Sequence, residues 1–148
     1  MNGTDQLSPR SSAARPAVFR AGKTCMPIGR RTLVMGIINV TPDSFYDGGQ
    51  VDGPETALAR ARQMLADGAD LLDVGGESSR PGSAPVTVEE ECARVEPALE
   101  ALAALGAPLS IDTYHAETAR RALARGARIV NDISALRMDP DLAGVVAD

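Results

Sequence analysis

The sequence predicts an α/β fold of repeated strand–helix units, and three observations carry that prediction. Four short apolar runs, 33–38, 70–74, 109–111 and 129–130, have the length and composition of buried parallel strands. Each run carries a polar side chain at its tip: Asn39, Asp73, Asp112 and Asn131. Stretches with helical spacing separate the runs. Strand, polar tip and helix, repeated four times, is the pattern of a (β/α) barrel or of a doubly wound sheet.

Residues 1–18 mix Ser, Arg, Pro, Gly and Ala without an apolar core, so they are expected to form a disordered tail rather than a secretory signal. Residues 19–32 suggest a hairpin turning near Gly22-Lys23, positioned to plug the N-terminal end of a barrel. Gly22-Lys23-Thr24 imitates the end of a phosphate-binding loop. That loop requires a Gly where Ala17 stands and a helix where Pro27 and Gly29 follow, so a hairpin turn is the better reading. Residues 33–148 are the barrel portion. They open on LVMGIINVTPDSFYDGG, a dry strand running into a long polar loop with turn chemistry at Pro42 and Gly48-Gly49.

The first helix is predicted over about residues 55–66, with Asp52 as cap ahead of Pro54, an apolar stripe of Leu58, Ala61, Met64 and Leu65, and a stop at Gly68. The second opens with the capping box Thr87-Val88-Glu89-Glu90. Val88, Cys92, Val95, Leu99 and Leu102 then make one packed face, and Pro97 is expected to kink it. The third covers about residues 116–125 and stops at Gly126, and a fourth begins at Asp139-Pro140.

A chain of 148 residues with 44% hydrophobic content is one domain's worth and can form a core. The net charge of -5 excludes a general affinity for nucleic acid or anionic membranes, and 3% aromatic content without Trp excludes a stacking platform for single strands. No run approaches a membrane span. Cys25 and Cys92 lack metal-type spacing and suit reduced thiols in the cytoplasm.

In a parallel barrel the four polar tips converge on one mouth. Carboxylates and carboxamides offer hydrogen-bonding groups in a plane, which suits a flat heterocycle with an amino-amide edge, such as a pterin or purine. The competing reading has each tip merely capping a helix or closing a turn. Gly75 and Gly76 allow a sharp bend or close approach to a ligand. Arg80, beside Ser78 and Ser79 and braced by Pro81, suits a two-pronged contact with phosphate, against the plainer reading of a solvated loop arginine. Phe45 is an aromatic in a polar loop, either a lid or a tuck into the loop's own base. The single histidine, His115, has no nucleophile-elbow serine nearby and reads as an ordinary surface residue, which disfavours a Ser-His-Asp hydrolase.

The stretches NVTPDSFYDGG from Asn39 and DVGGESSRPG from Asp73 resemble the two signatures of the dihydropteroate synthase family, a family of pterin-binding (β/α)8 TIM barrels. Ser110-Ile-Asp-Thr and Val130-Asn-Asp-Ile match further segments in order. The resemblance runs from about Leu33 onward. It implies a folate-pathway transferase, a sulfonamide target, that joins p-aminobenzoate to 6-hydroxymethyl-7,8-dihydropterin diphosphate and releases diphosphate. It further implies that Asn39 helps hold Mg²⁺ and diphosphate, that Asp112 and Asn131 bind the pterin with Asp73 in the same pocket, that Ser79 and Arg80 lie near diphosphate and p-aminobenzoate, and that Phe45 lies beside the aminobenzoate ring. Arg80 and Asp73 are the expected catalytic residues, and a homodimer is expected at full length.

A full barrel takes about 250 residues. Only about the first four β/α units are recognisable here, so the residues present are expected to make half of an active site and the chain alone to be inert and prone to self-association through its open edges. Two other classes remain on the sequence: a non-catalytic or incomplete pterin-binding fragment, and a pterin-dependent methyltransferase sharing the barrel.

Overall fold

The structure, a computed structural model, describes residues 17–41, 53–78 and 84–147. A two-stranded antiparallel hairpin, β1 (Ala17–Ala21) and β2 (Thr24–Ile28), precedes a four-stranded parallel sheet, β3 (Met35–Asn39), β4 (Leu71–Gly75), β5 (Leu109–Asp112) and β6 (Ile129–Asn131). The helices α1 (Pro54–Ala66), α2 (Val88–Ala103) and α3 (Ala116–Ala124) connect successive strands, and α4 (Leu142–Ala147) follows β6.

Strand order in the sheet equals chain order, β3-β4-β5-β6. A doubly wound sheet reverses its strand order at a switch point, whereas a (β/α) barrel places each strand beside the next. The order found is that of a partial (β/α) barrel.

Alternation along the strands gives the sheet two faces. One, bearing Ile38, Val74 and Ile111, is covered by α1 and α2, whose buried Ala57, Ala61, Val95, Leu99 and Leu102 share its core. Each fully buried aliphatic side chain there contributes about 1.5–3 kcal/mol. Gly36 of β3 is part of this packing, because a Cβ on it would stand 2.8 Å from Met64 Sδ of α1. The other face carries Met35, Ile37 and Asp73, with Ile37 55% exposed.

α2 has the expected capping box, Thr87 accepting from the Glu90 amide while the Glu90 carboxylate accepts from the Thr87 amide, each at 3.2 Å. It runs unbroken through Pro97, and Cys92 is buried in its packed face as predicted. Gly68 and Gly126, just past α1 and α3, take φ of +105° and +109°, the left-handed conformation that ends helices. The hairpin turns at Gly22-Lys23 as predicted.

Four expectations shift. Ala17 and Val18 belong to the hairpin rather than to the tail, because they pair with Ile28 and Pro27 in its ladder. The N-cap of α1 is Gly53, whereas Asp52 lies outside the described residues. α4 begins at Leu142 rather than at Asp139-Pro140. Asp139 nevertheless keeps a capping role and serves two helices: its Oδ2 accepts from the Ala116 amide at the start of α3 at 2.7 Å, while its Oδ1 accepts from the Asp141 amide at the entry to α4. The strands also reach further than the apolar runs, taking in Asn39, Gly75, Asp112 and Asn131 as their last residues. Ladder hydrogen bonds, not hydrophobicity, decide where a strand stops.

Candidate functional site

The register aligns those four last residues in a single row, Asn39–Gly75–Asp112–Asn131, across the C-terminal end of the sheet. Gly75 keeps the row open. A Cβ added to it would meet Asn39 Oδ1 at 3.5 Å and Asp112 Oδ2 at 3.7 Å, so the neighbouring carboxamide and carboxylate both lie close to the space that a side chain here would fill.

Asp73 is therefore not a strand tip, which corrects the sequence reading. It stands two residues deeper on β4, in the row Ile37–Asp73–Ser110–Ile129, and is 2% exposed. Its Oδ2 accepts from Asn131 Nδ2 at 2.9 Å. Asp73 Oδ1 and the Ser110 hydroxyl, register neighbours, are buried without a partner among the described residues. An aspartate was visible in the sequence, but its depth depends on register, which the apolar run did not fix.

Asp112 is half-buried, and its pKa is raised to about 6, first by burial and then by the carboxylates of Asp73, Glu91, Asp132 and Glu77. Glu91, 1% exposed on α2, is the residue that sequence reasoning missed. Its Oε2 accepts from Thr118 Oγ1 at 2.7 Å and lies 2.8 Å from His115 Nδ1. His115 is thus half-buried and partnered rather than an ordinary surface residue, a correction that follows from α3 packing on α2. The only advance signal was that Glu91 adjoins the apolar position Cys92.

The same packing roots the loop that follows β4. A Cβ on Gly76 would come within 2.7 Å of Val95 Cγ1 and 3.2 Å of the Glu91 carbonyl oxygen, so α2 approaches this backbone as closely as a glycine permits. Arg94 donates to the Gly76 carbonyl at 2.9 Å, and the Tyr114 hydroxyl donates to the Glu77 carboxylate at 2.9–3.0 Å. Burial and that carboxylate push Tyr114 up to about 12. Phe45, Ser79 and Arg80 lie outside the described residues.

Chemically, the row is a shelf of planar carboxamide and carboxylate groups. Two carboxylate oxygens of Asp112 can receive parallel N–H groups, as an amino-amide edge offers. A separate cavity of about 400 Å³, lined by Cys25, Met26, Pro27, Arg30, Arg31, Leu33 and Asp70, lies at the N-terminal end of the sheet, away from this row.

A partial (β/α) barrel with an acid and amide row at its strand C-termini defines a class of small-molecule-binding enzyme barrels. Residues 35–148 match the sequence profile of the pterin binding enzyme family, and the chain belongs to that family. It is 50% identical over 132 residues to the dihydropteroate synthase of Bacillus subtilis, an alignment covering 88% of this chain and 46% of the relative. Among solved structures, it resembles Burkholderia cenocepacia dihydropteroate synthase complexed with 7,8-dihydropteroate, with a TM-score of 0.76, 47% identity, and 90% of this chain against 43% of that one covered. It also resembles Xanthomonas albilineans dihydropteroate synthase with 4-aminobenzoic acid, with a TM-score of 0.81, 44% identity, and coverage of 90% and 49%. The chain spans about half the length of the relatives it matches. Among the described residues, no helix is long and apolar enough to cross a membrane.

Proposed function

We propose that this chain supplies one wall of the active site of a dihydropteroate synthase, an enzyme condensing 6-hydroxymethyl-7,8-dihydropterin diphosphate with p-aminobenzoate. The observation that carries the reading is the single row Asn39–Gly75–Asp112–Asn131 with Asp73 beneath it. Asp112 and Asn131 accept N–H groups from the amino-amide edge of the pterin and hold the ring flat across the shelf.

The C–O bond to diphosphate breaks, leaving positive charge on the pterin methylene. The nearby carboxylates favour that charge. The aromatic amine then forms the C–N bond and loses a proton, so no protein nucleophile is required. Arg80 takes the charge of the departing diphosphate.

Among the described residues no group of three His, Cys, Asp or Glu side chains could hold a metal by itself. The oxygens of Asn39 and Asp112 on either side of Gly75 fit a hard cation that keeps its waters and is carried mainly by phosphate oxygens. Asn39 would hold Mg²⁺ in that setting, and the ion would supply further charge neutralisation on diphosphate. Ser79 and Phe45 belong to the aminobenzoate side of the same reading. The fitting environment is the cytoplasm, where Cys25 and Cys92 stay reduced, and the full-length assembly is a homodimer.

The test is dihydropteroate formation by a complete barrel in which this chain is joined to the C-terminal half of the Bacillus subtilis relative. Activity is expected there, and turnover at least tenfold lower from residues 1–148 alone. A folded complete barrel that binds no pterin would overturn the reading.

A further inference from the structure

We propose that Asp73 is a positioning residue that acts through Asn131, fixing its carboxamide so that its carbonyl oxygen is presented as an acceptor beside the Asp112 carboxylate. The proposal rests on the functional reading above. A carboxylate accepts hydrogen bonds and cannot donate them, so the half of the Asn131 amide that meets Asp73 must be the NH₂ group. The 2.9 Å bond from Asn131 Nδ2 to Asp73 Oδ2 spans from β6 to β4, beneath the side chain of Asp112. With Nδ2 committed, the carbonyl oxygen Oδ1 is left on the side of the amide away from Asp73, in the row with Asp112.

An Asn free to rotate would offer a donor half the time and accept the wrong edge of a heterocycle. Tied by one N–H to a 2% exposed carboxylate, its amide is held in one orientation, with Oδ1 fixed as an acceptor on the Asp112 side. Asn131 Oδ1 and the Asp112 carboxylate together then select an N–H donor edge, a ring amide N–H beside an exocyclic amine, over a ring presenting acceptors. Asp73 itself lies too deep for direct work on the ligand. Its contribution is the sign of the hydrogen-bonding pattern above it, and what that requires of residue 73 is an acceptor atom rather than a charge.

Two measurements test this. The first uses residues 1–148 and follows the Asn131 side-chain amide protons by ¹⁵N-resolved NMR. Asp73→Leu is expected to speed their exchange at least fivefold, while Asp73→Asn, which keeps an acceptor oxygen, leaves it within about twofold. Unchanged exchange in Asp73→Leu overturns the assignment, whatever the protein's activity. The second uses the complete barrel and calorimetric titration with 6-hydroxymethylpterin. Asp73→Leu should weaken binding about tenfold, the loss of roughly one oriented hydrogen bond. Asp73→Asn should bind within about threefold of the parent, and Asp73→Leu should cost nothing further in an Asn131→Ala background. In turnover, KM for the pterin diphosphate should rise while kcat and KM for p-aminobenzoate hold. Equal losses in the Asn and Leu variants, or a full additional loss in the Asn131→Ala background, would show Asp73 acting by its charge or on the ligand directly. Absence of pterin binding by the parent barrel instead counts against the functional reading, and the amide exchange still decides the placement of Asn131.

Discussion

Two aspartates at opposite ends of one sheet are driven in opposite directions. Asp70, one residue before β4, is gripped by the Arg31 guanidinium and accepts from the Val34 amide at 2.9 Å, and its pKa is lowered to about 2. Asp112, the last residue of β5, is crowded by burial and by four carboxylates and raised to about 6. Asp70 meets a cation and a donor, and its ionised form ties the approach to β3 to that of β4. Among the described residues, the charges that shift Asp112 are all carboxylates, and its ionised form costs stability. The N-terminal end of the sheet is assembled to stay folded, whereas the C-terminal end holds unfavourable charge that a ligand with N–H donors, or a cation, can relieve.

Breaking the support of the strained end should have the largest effect. Glu91→Ala would leave the Thr118 hydroxyl and the His115 ring without their buried acceptor and open a hole between α2 and α3. Urea unfolding should show a loss of about 3–4 kcal/mol. Gly76→Ala, which forces a methyl against Val95 and the Glu91 backbone, should cost about 2–3 kcal/mol in the same assay. A near-neutral result for either would mean that α2 can withdraw from the loop root, and that the C-terminal end is less rigid than its contacts indicate.

The contrast between the aspartates can be sharpened by pH. The folded pKa of Asp112 lies above the usual carboxylate value of about 4, so its protonation favours the native state. Its contribution is fully present below about 4 and is lost as pH rises to about 6. Asp112→Asn should remove that fall and raise stability at neutral pH by about 1 kcal/mol, allowing for its partial solvent screening. Glu91→Gln, which keeps the side chain's shape, should lower the Asp112 pKa in a ¹³C carboxyl titration, because the Glu91 charge is one of the carboxylates that raise it.

At the other end the sign reverses. The Asp70 contribution is complete above about 4 and disappears as pH falls through about 2. Asp70→Asn should flatten that acid limb and reduce stability at neutral pH by the smallest amount of the set, since the Arg31 side chain is 62% exposed and the pair is screened by water and salt. A larger loss than that from Asp112→Asn in the opposite direction would reverse the assignment of the two ends.

The chain's local chemistry determined much by itself. Apolar runs placed four strands, Gly68 and Gly126 ended two helices, Thr87 and Glu90 opened a third, and Gly22-Lys23 turned the hairpin. These signals act within a few residues along the chain, so no tertiary context is needed to read them. Asn39, Asp112 and Asn131 were visible as site residues for the same reason, each ending an apolar run in a polar atom.

Depth and partnership were decided only by the folded sheet and the helices laid on it. Register put Gly75, not Asp73, in the row and dropped Asp73 one layer below, where it meets Asn131 across 58 positions of sequence. Helix packing turned Glu91 inward to His115 and Thr118 and brought the Asp139 carboxylate to the start of α3 as well as to the entry of α4. A carboxylate has the same composition whether it caps a helix, strains a site or orients an amide. Which of these it does depends on the donors and charges that distant parts of the chain bring to within about 3 Å.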